Sequence, residues 1–281
     1  MKILITGITG FLGSHLMNHL KKGHDVIGIS GVSDRFSDNI PNVKLYSPNK
    51  VNEIRENPDI VILCHAAVSS GNIDIESKLL FEANVNFTKQ ILQFFPTAYH
   101  LFISSVAVYG DNKEIINENT AVNPATEYAV SKLWGELIVS NIPTSGILRL
   151  TSIYGEGMRE NTIIPHFVNQ ALKNGKIEVW GDGIRKQNYL YISDAITYVN
   201  KMIENKISGL YIAASKDSYS NRILAEIISN LSSSKIIFRG IDNSSSRLYD
   251  NSQSKLKLQI ESECNLTEGL NKYIKWNKKQ F

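Results

Sequence analysis

Thr6-Gly7-Ile8-Thr9-Gly10-Phe11-Leu12-Gly13 lies between the apolar run Ile3 to Ile5 and a segment in which Leu12, Leu16 and Leu20 recur every four residues. The run reads as a buried strand, and the recurrence gives a helix one apolar stripe that can lie on a sheet. A glycine-rich turn between a strand and an amphipathic helix is the context that a dinucleotide-binding turn requires. Gly7 permits the tight turn, Gly10 lets backbone N–H groups approach a pyrophosphate, and Gly13 allows the helix to pack closely on the strand. The phosphates would meet the positive end of the helix, at Phe11 and Leu12. The spacing is GxxGxxG rather than GxGxxG, so a strand-to-helix turn without a ligand is the competing reading.

Outward from this turn, Val26 to Ile29, Ile60 to Leu63, Leu101 to Ile103 and Ile147 to Leu150 read as further strands. Helix-period segments alternate with them: the first ends at Gly23, a second is expected from Ile73 to Phe95, and a third from Glu127 to Val139, with Pro143 following. Such alternation predicts an α/β fold with a doubly wound parallel sheet. Beyond Thr151, Gly155, Gly157, Gly175, Gly181 and Gly183 punctuate shorter elements, as in a smaller region built on the end of the sheet. Residues 1–150 are therefore expected to form the dinucleotide-binding domain, with parts of 184–213 returning to it, and 151–281 mainly a substrate-binding region. No internal repeat is visible.

The position at the end of the second strand that usually carries an acid for the ribose hydroxyls of NAD is Ser30. A carboxylate there would repel a 2′-phosphate, so its absence, with Arg35 five residues on, favours NADP; NAD is the alternative.

Tyr128-Ala129-Val130-Ser131-Lys132 opens the third helix, and its spacing puts the phenol and the ammonium on one face. A tyrosine acting as acid or base near neutrality must have its pKa brought down from about 10. The charge of Lys132 and a positive nicotinamide ring are the groups that could do this. Ser105, after the run Leu101-Phe102-Ile103-Ser104, is placed to donate to an oxygen that develops charge.

Composition narrows the classes. The chain has 281 residues, with 30 Lys plus Arg against 27 Asp plus Glu, and no block of like charges that would argue for nucleic acid. Its 42% hydrophobic and 20% charged residues are those of a globular protein. Cys64 and Cys264 form neither a disulfide framework nor a metal cluster, and a reducing compartment is expected. His15 and His19 have no third ligand nearby, so no metal is expected; they flank the leucine stripe. His65 reads as a residue packed near the cofactor, and Trp134, Trp180 and Trp276 as packing residues. The first apolar stretch stops at Gly7, too short for a signal peptide, and no run is long enough to span a membrane. A cytoplasmic protein is the expectation.

Taken together, these residues resemble the extended short-chain dehydrogenases/reductases, in the NAD-dependent epimerase/dehydratase group that acts on nucleotide sugars. Besides the turn, the resemblance runs through Cys64-His65-Ala66-Ala67, Asn84 to Thr88, Ser104-Ser105-Val106-Ala107-Val108-Tyr109-Gly110 and the YxxxK helix. It continues through Arg149 to Gly155, Gly181-Asp182-Gly183, Tyr191 to Asp194, Arg247 to Ser254 and Leu266 to Leu270. It implies a Rossmann sheet with a small C-terminal α/β substrate region, the sugar nucleotide lying between them.

Residue by residue, the resemblance makes Tyr128 the acid/base, Lys132 a ligand of the nicotinamide ribose, and Ser105 a donor to the sugar oxygen. Ala66 and Ala67 would lie beside the cofactor, and Asn84 would be structural support. It also implies pairing of two copies through two helices, a homodimer. The family's dehydratases carry Asp-Glu after the catalytic Ser/Thr; here those positions are Val106 and Ala107, which argues against 4,6-dehydration. The arginine expected after Gly183 is replaced by Gln187, leaving Arg185 as a shifted candidate and Arg247 as the better phosphate contact; an exposed loop charge is the alternative for each.

The expectation is a nucleotide-sugar reductase that passes hydride from NADPH to a 4-keto(-6-deoxy) sugar while Tyr128 delivers the proton. A nucleoside-diphosphate-sugar 4-epimerase using bound NAD is the alternative. A non-catalytic dinucleotide-binding sensor is the alternative of another class.

Overall fold

The computed structural model describes residues 1–31, 40, 43–68, 76–112 and 114–280. Its first strand, β1 (Lys2–Thr6), is paired in parallel on both sides, with β2 (Asp25–Ile29) and with β4 (Ile60–Leu63). β3 (Lys44–Tyr46) adds in parallel outside β2, and β5 (Tyr99–Ser105) outside β4. Strands Ser145–Leu150 and Gly209–Ala213 complete a seven-stranded sheet, in the order 209–213, 145–150, β5, β4, β1, β2, β3. The chain thus builds outward from β1 to β3, then returns to the other side of β1. Ligands of such sheets bind where the winding reverses, at the carboxyl ends of the central strands.

The chain divides into two units. The first, Met1–Gly110 with Val122–Arg149 and Ile196–Tyr211, holds most of this sheet. Helix α1 (Phe11–Leu20) packs on β1 and β2 through Leu12, Leu16, Met17 and Leu20. Helix α4 (Glu127–Ser140) packs on β5. Between them run α2 (Ser77–Phe81) and α3 (Phe87–Phe94), joined by one π-helical turn, Glu82–Asn86. β4 is buried throughout, as two-sided burial of a parallel sheet requires. Leu4, Ile27, Val61, Leu92 and Phe102 belong to one apolar cluster of this unit.

The second unit is Asp111–Ala121, Leu150–Ala195 and Ile212–Phe281. Strand Lys186–Tyr191 pairs in parallel with Ser152–Tyr154 and antiparallel with Ser218–Ser220. Lys176–Trp180 pairs in parallel with Lys235–Arg239, and Ile115–Ile116 with Leu248–Tyr249. Helices Ile163–Asn174, Asn221–Ser232 and Leu266–Asn277 supply its remaining regular structure of more than two turns.

One reading is corrected, and one strand is added. The helix expected over 73–95 contains the π-helical turn, which nothing in its composition signals, and its first residues lie outside the described ones. β3 is short and only half-buried, so it has no apolar run to announce it. Trp134 and Trp180 are 48% and 63% exposed but still pack on neighbours, Trp134 edge-on to Phe81 and Trp180 against Gly240, and Trp276 stacks on Tyr273. Among the described residues no helix is long and apolar enough to cross a membrane.

Candidate active site

The glycine turn closes on itself through a bond from the Gly10 N–H to the Gly7 carbonyl, 2.9 Å. Gly7 has φ +65°, and a Cβ there would lie 2.8 Å from the His65 Cα; a Cβ on Gly13 would lie 2.2 Å from the Gly7 oxygen. Both positions therefore need glycine, the first for its backbone angle and the second for close helix packing. Gly10 begins α1 without a side-chain cap, and the helix has no acidic residue in its first turn. Its N–H groups at Phe11 and Leu12 are left to serve an anion, so the turn fits the pyrophosphate of a dinucleotide.

Ser30 directly follows β2 beside this turn: its hydroxyl donates to the Gly31 carbonyl at 2.8 Å and lies 3.1 Å from the Thr9 hydroxyl. Arg35 lies outside the described residues.

A hydrogen-bonded chain leads from the turn to the catalytic-helix candidate. Thr88 donates to the Asn84 carbonyl at 2.9 Å, which leaves its oxygen to accept from His65 Nε2 at 3.0 Å. His65 Nδ1 is then the acceptor, and the Thr6 hydroxyl donates to it at 2.6 Å. Burial, with the nearby Lys132 charge, pushes the pKa of His65 down to about 3, which keeps this arrangement neutral. Asn84 holds both backbone groups of Ala67, accepting from its N–H at 2.7 Å and donating to its carbonyl at 3.0 Å. Asn84 also donates to Ser131 Oγ at 2.9 Å, and Ser131 donates to the Tyr128 carbonyl at 2.8 Å. The π-helical turn that carries Asn84 is a form often found at functional sites.

Helix α4 starts at a Thr126 cap and buries Ser131 and Lys132, with Tyr128 half-buried. Ser105, at the end of β5, is close enough to Tyr128 to act on its phenol. Burial pushes the Tyr128 phenol up, and Ser105 opposes it. The Lys132 ammonium lies over the Phe102 ring, 4.2 Å from its centroid, and burial pulls its pKa down to about 8. The structure thus brings together Ser105, Tyr128, Lys132, Ala67 and the turn within one unit. Ser105 also accepts from the Ala107 N–H at 3.1 Å, and the neighbouring Val106 is buried and apolar. Positions 106 and 107 carry no side-chain acid or base.

Arg185 and Arg247 belong to the second unit. Arg185 Nε donates to the Ser245 carbonyl at 3.4 Å, and the Arg247 N–H to the Lys186 carbonyl at 3.0 Å, so the two segments run side by side. Sequence reasoning missed Thr6, Thr88 and Ser131, whose roles depend on partners far along the chain. It also missed Glu136, although that residue continues the four-residue spacing of Tyr128 and Lys132.

The model of the NAD dependent epimerase/dehydratase family matches residues 3–212. A UDP-N-acetyl-alpha-D-glucosaminuronate decarboxylase of Bacillus cytotoxicus is 28% identical, over 98% of this chain and 97% of that protein. An uncharacterised UDP-glucose epimerase of Bacillus subtilis is 29% identical over 72% of each chain. The crystal structure of UDP-glucuronic acid 4-epimerase from Bacillus cereus in complex with NAD superposes with a TM-score of 0.86 at 22% identity, covering 100% of this chain and 99% of that one. At that identity the likeness establishes the fold, a large parallel Rossmann-type sheet flanked by helices.

Proposed function

The chain belongs to the NAD-dependent epimerase/dehydratase family, a family of enzymes, and from this premise we propose that it is a nucleoside-diphosphate-sugar 4-epimerase working with bound NAD. The observation that carries the reading is the placement of Ser105, Tyr128 and the buried Lys132 in one unit with the glycine turn, with no acid or base at 106 and 107. NAD, when bound, supplies a place for the hydride leaving C4 and returns it later. Tyr128 takes the proton of the 4-hydroxyl as C4 becomes a ketone, and gives it back when the carbon is reduced on its other face. Ser105 donates to that oxygen throughout and favours the charge it develops. Lys132 holds the ribose hydroxyls and, with the positive ring, offsets the upward push of burial on Tyr128. Arg247 and Arg185 meet the diphosphate.

This replaces the NADPH reductase as the first reading. The relatives named above are an epimerase holding NAD, an uncharacterised UDP-glucose epimerase and a decarboxylase, and the NADP argument leaned on Arg35. The missing carboxylate at Ser30 still favours the reductase.

The exposed apolar residues Leu79, Val130, Trp134 and Leu137 on α2 and α4 fit pairing with a second copy of the chain, and sedimentation of the purified protein tests for the dimer.

The deciding experiment is purification without added cofactor, followed by incubation with UDP-glucose, UDP-glucuronic acid or UDP-N-acetylglucosamine and NMR of the products. Retained NAD and a product inverted at C4, with no net change in NADH, support the epimerase. Stoichiometric NADPH consumption with a 4-keto substrate overturns it for the reductase. Loss of CO2 from a uronic acid overturns it for a decarboxylase, and bound NAD without any turnover points to the sensor.

A further inference from the structure

Helix α4 carries a buried carboxylate that the reaction proposed above does not use. Tyr128, Lys132 and Glu136 follow one another at four-residue spacing on one face, and Lys132 and Glu136 are only 2% and 4% exposed. Arg149, on strand Ser145–Leu150, meets Glu136 with two bonds: Nε to Oε1 at 2.9 Å and Nη2 to Oε2 at 2.6 Å. Ser104, on β5, donates to the same Oε1 at 2.5 Å. The Arg149 guanidinium itself lies over the Tyr109 ring, 4.7 Å from its centroid. One carboxylate thus ties a helix to two strands in a fork geometry that leaves little freedom. A buried pair of this kind is weak evidence for stability, since apolar replacements often do as well. Its value is sought in what it places.

It places two things. Ser104 directly precedes Ser105, so the Glu136 bond anchors the end of β5 one residue from the Ser105 hydroxyl. It also sets a negative charge one helical turn from Lys132. Burial lowers the pKa of that lysine to about 8, and Cys64 and Glu136 act against burial. Burial pushes the Cys64 thiol up to about 12, so it is uncharged over the range in which Lys132 titrates. That leaves Glu136 as the anion. Of the other groups around Lys132, His65 is neutral, its pKa held near 3, Tyr128 is a phenol, and Phe102 offers only its ring.

We propose that Glu136 is a positioning residue: clamped by Arg149 and Ser104, it fixes the Tyr128/Lys132 face of α4 against the end of β5 and is the buried counter-charge of the Lys132 ammonium. The functional weight of this rests on the proposed roles of Tyr128 and Lys132, but its test needs neither substrate nor cofactor.

The test is urea unfolding from pH 7 to 10.5, with each protein measured with and without Lys132→Met, so that the difference isolates Lys132. A lysine with a depressed pKa in the folded state binds fewer protons there than in the unfolded chain, so stability rises with pH from about 8 toward its ordinary value of 10.5. In Glu136→Gln the onset of this rise is expected about one pH unit lower. In Arg149→Met, which leaves the carboxylate without its cation, the onset is expected at higher pH. If both variants lose stability but keep the wild-type onset, or move it in the same direction, the pair is only a packing device and the proposal falls. Should either single variant fail to fold, the charge-balanced Glu136→Gln/Arg149→Met protein takes its place, with the onset again expected lower and an unmoved onset overturning the proposal. Undiminished turnover in Tyr128→Phe would sink the reading of the site and leave this result standing.

Discussion

The corner around Tyr128 and the segments around Arg185 and Arg247 are built to different tolerances. At the corner, Thr6, His65, Thr88, Asn84 and Ser131 form an unbroken series of bonds of 2.6 to 3.0 Å, on backbone that is mostly buried. Around the arginines, the side-chain bond of Arg185 is 3.4 Å long, and Ile184 and Ile241 nearby are 68% and 78% exposed. A group that moves a proton must be held within a fraction of an ångström, whereas groups that select a substrate work from surface loops that can vary. The difference teaches where to look for mechanism and where to look for specificity.

The comparison breaks first at Tyr128. Tyr128→Phe keeps the ring and the packing but removes the group proposed to carry the proton, and a loss of about 10²- to 10⁴-fold in kcat is expected, with KM little changed. Steady-state kinetics on the accepted sugar nucleotide checks it. A variant that loses KM instead would move Tyr128 from chemistry to binding and erase the contrast between the two regions.

The rigidity of the first unit has a pH signature. His100, on β5, is fully buried, and neither ring nitrogen has a hydrogen-bond partner, so burial pushes its pKa down to about 4. The unfolded chain then binds a proton that the folded one refuses. Stability is complete above about 6.5 and falls as the pH drops toward 4, by about 3 kcal/mol for this group. His65, with its pKa near 3, adds to the loss in the same direction. Urea titrations at pH 7 and pH 4.5 measure it, and His100→Leu is expected to flatten the acid limb. An acid limb that is unchanged in that variant would show that the strand is looser than its burial implies.

How much of this was legible follows from the same contrast. The turn, the central strands and the Tyr128/Lys132 face have local signatures: glycines at fixed offsets, apolar runs, and a spacing that matches the helical repeat. Glu136 and Arg149 carried the opposite signal, because charged residues read as solvent-facing until their partners are known. Ser104 and Glu136 are 32 residues apart, and Thr6 and His65 are 59 apart, so no local pattern joins them. The π-helical turn at Asn84 has no glycine or proline to announce it. From that turn Asn84 bonds Ala67 and Ser131 together, tertiary contacts that no local pattern announces.

The smallest expected effect sharpens the comparison from the other side. Arg247 holds its segment through its own N–H rather than through its side chain, so Arg247→Ala leaves the Lys186 bond in place and removes only the guanidinium. If that group meets a diphosphate as one of several contacts at a half-exposed position, its loss costs about 1.4 kcal/mol, or tenfold in kcat/KM. The whole of it should appear in KM, because the diphosphate is bound equally well before and during proton transfer. Michaelis constants of wild type and variant decide this, with Arg185→Ala measured beside them. A fall in kcat would mean that the loose region also takes part in positioning the reacting sugar. No change in either constant for Arg247→Ala, with a raised KM for Arg185→Ala, would move the phosphate contact to Arg185 and keep the division of labour.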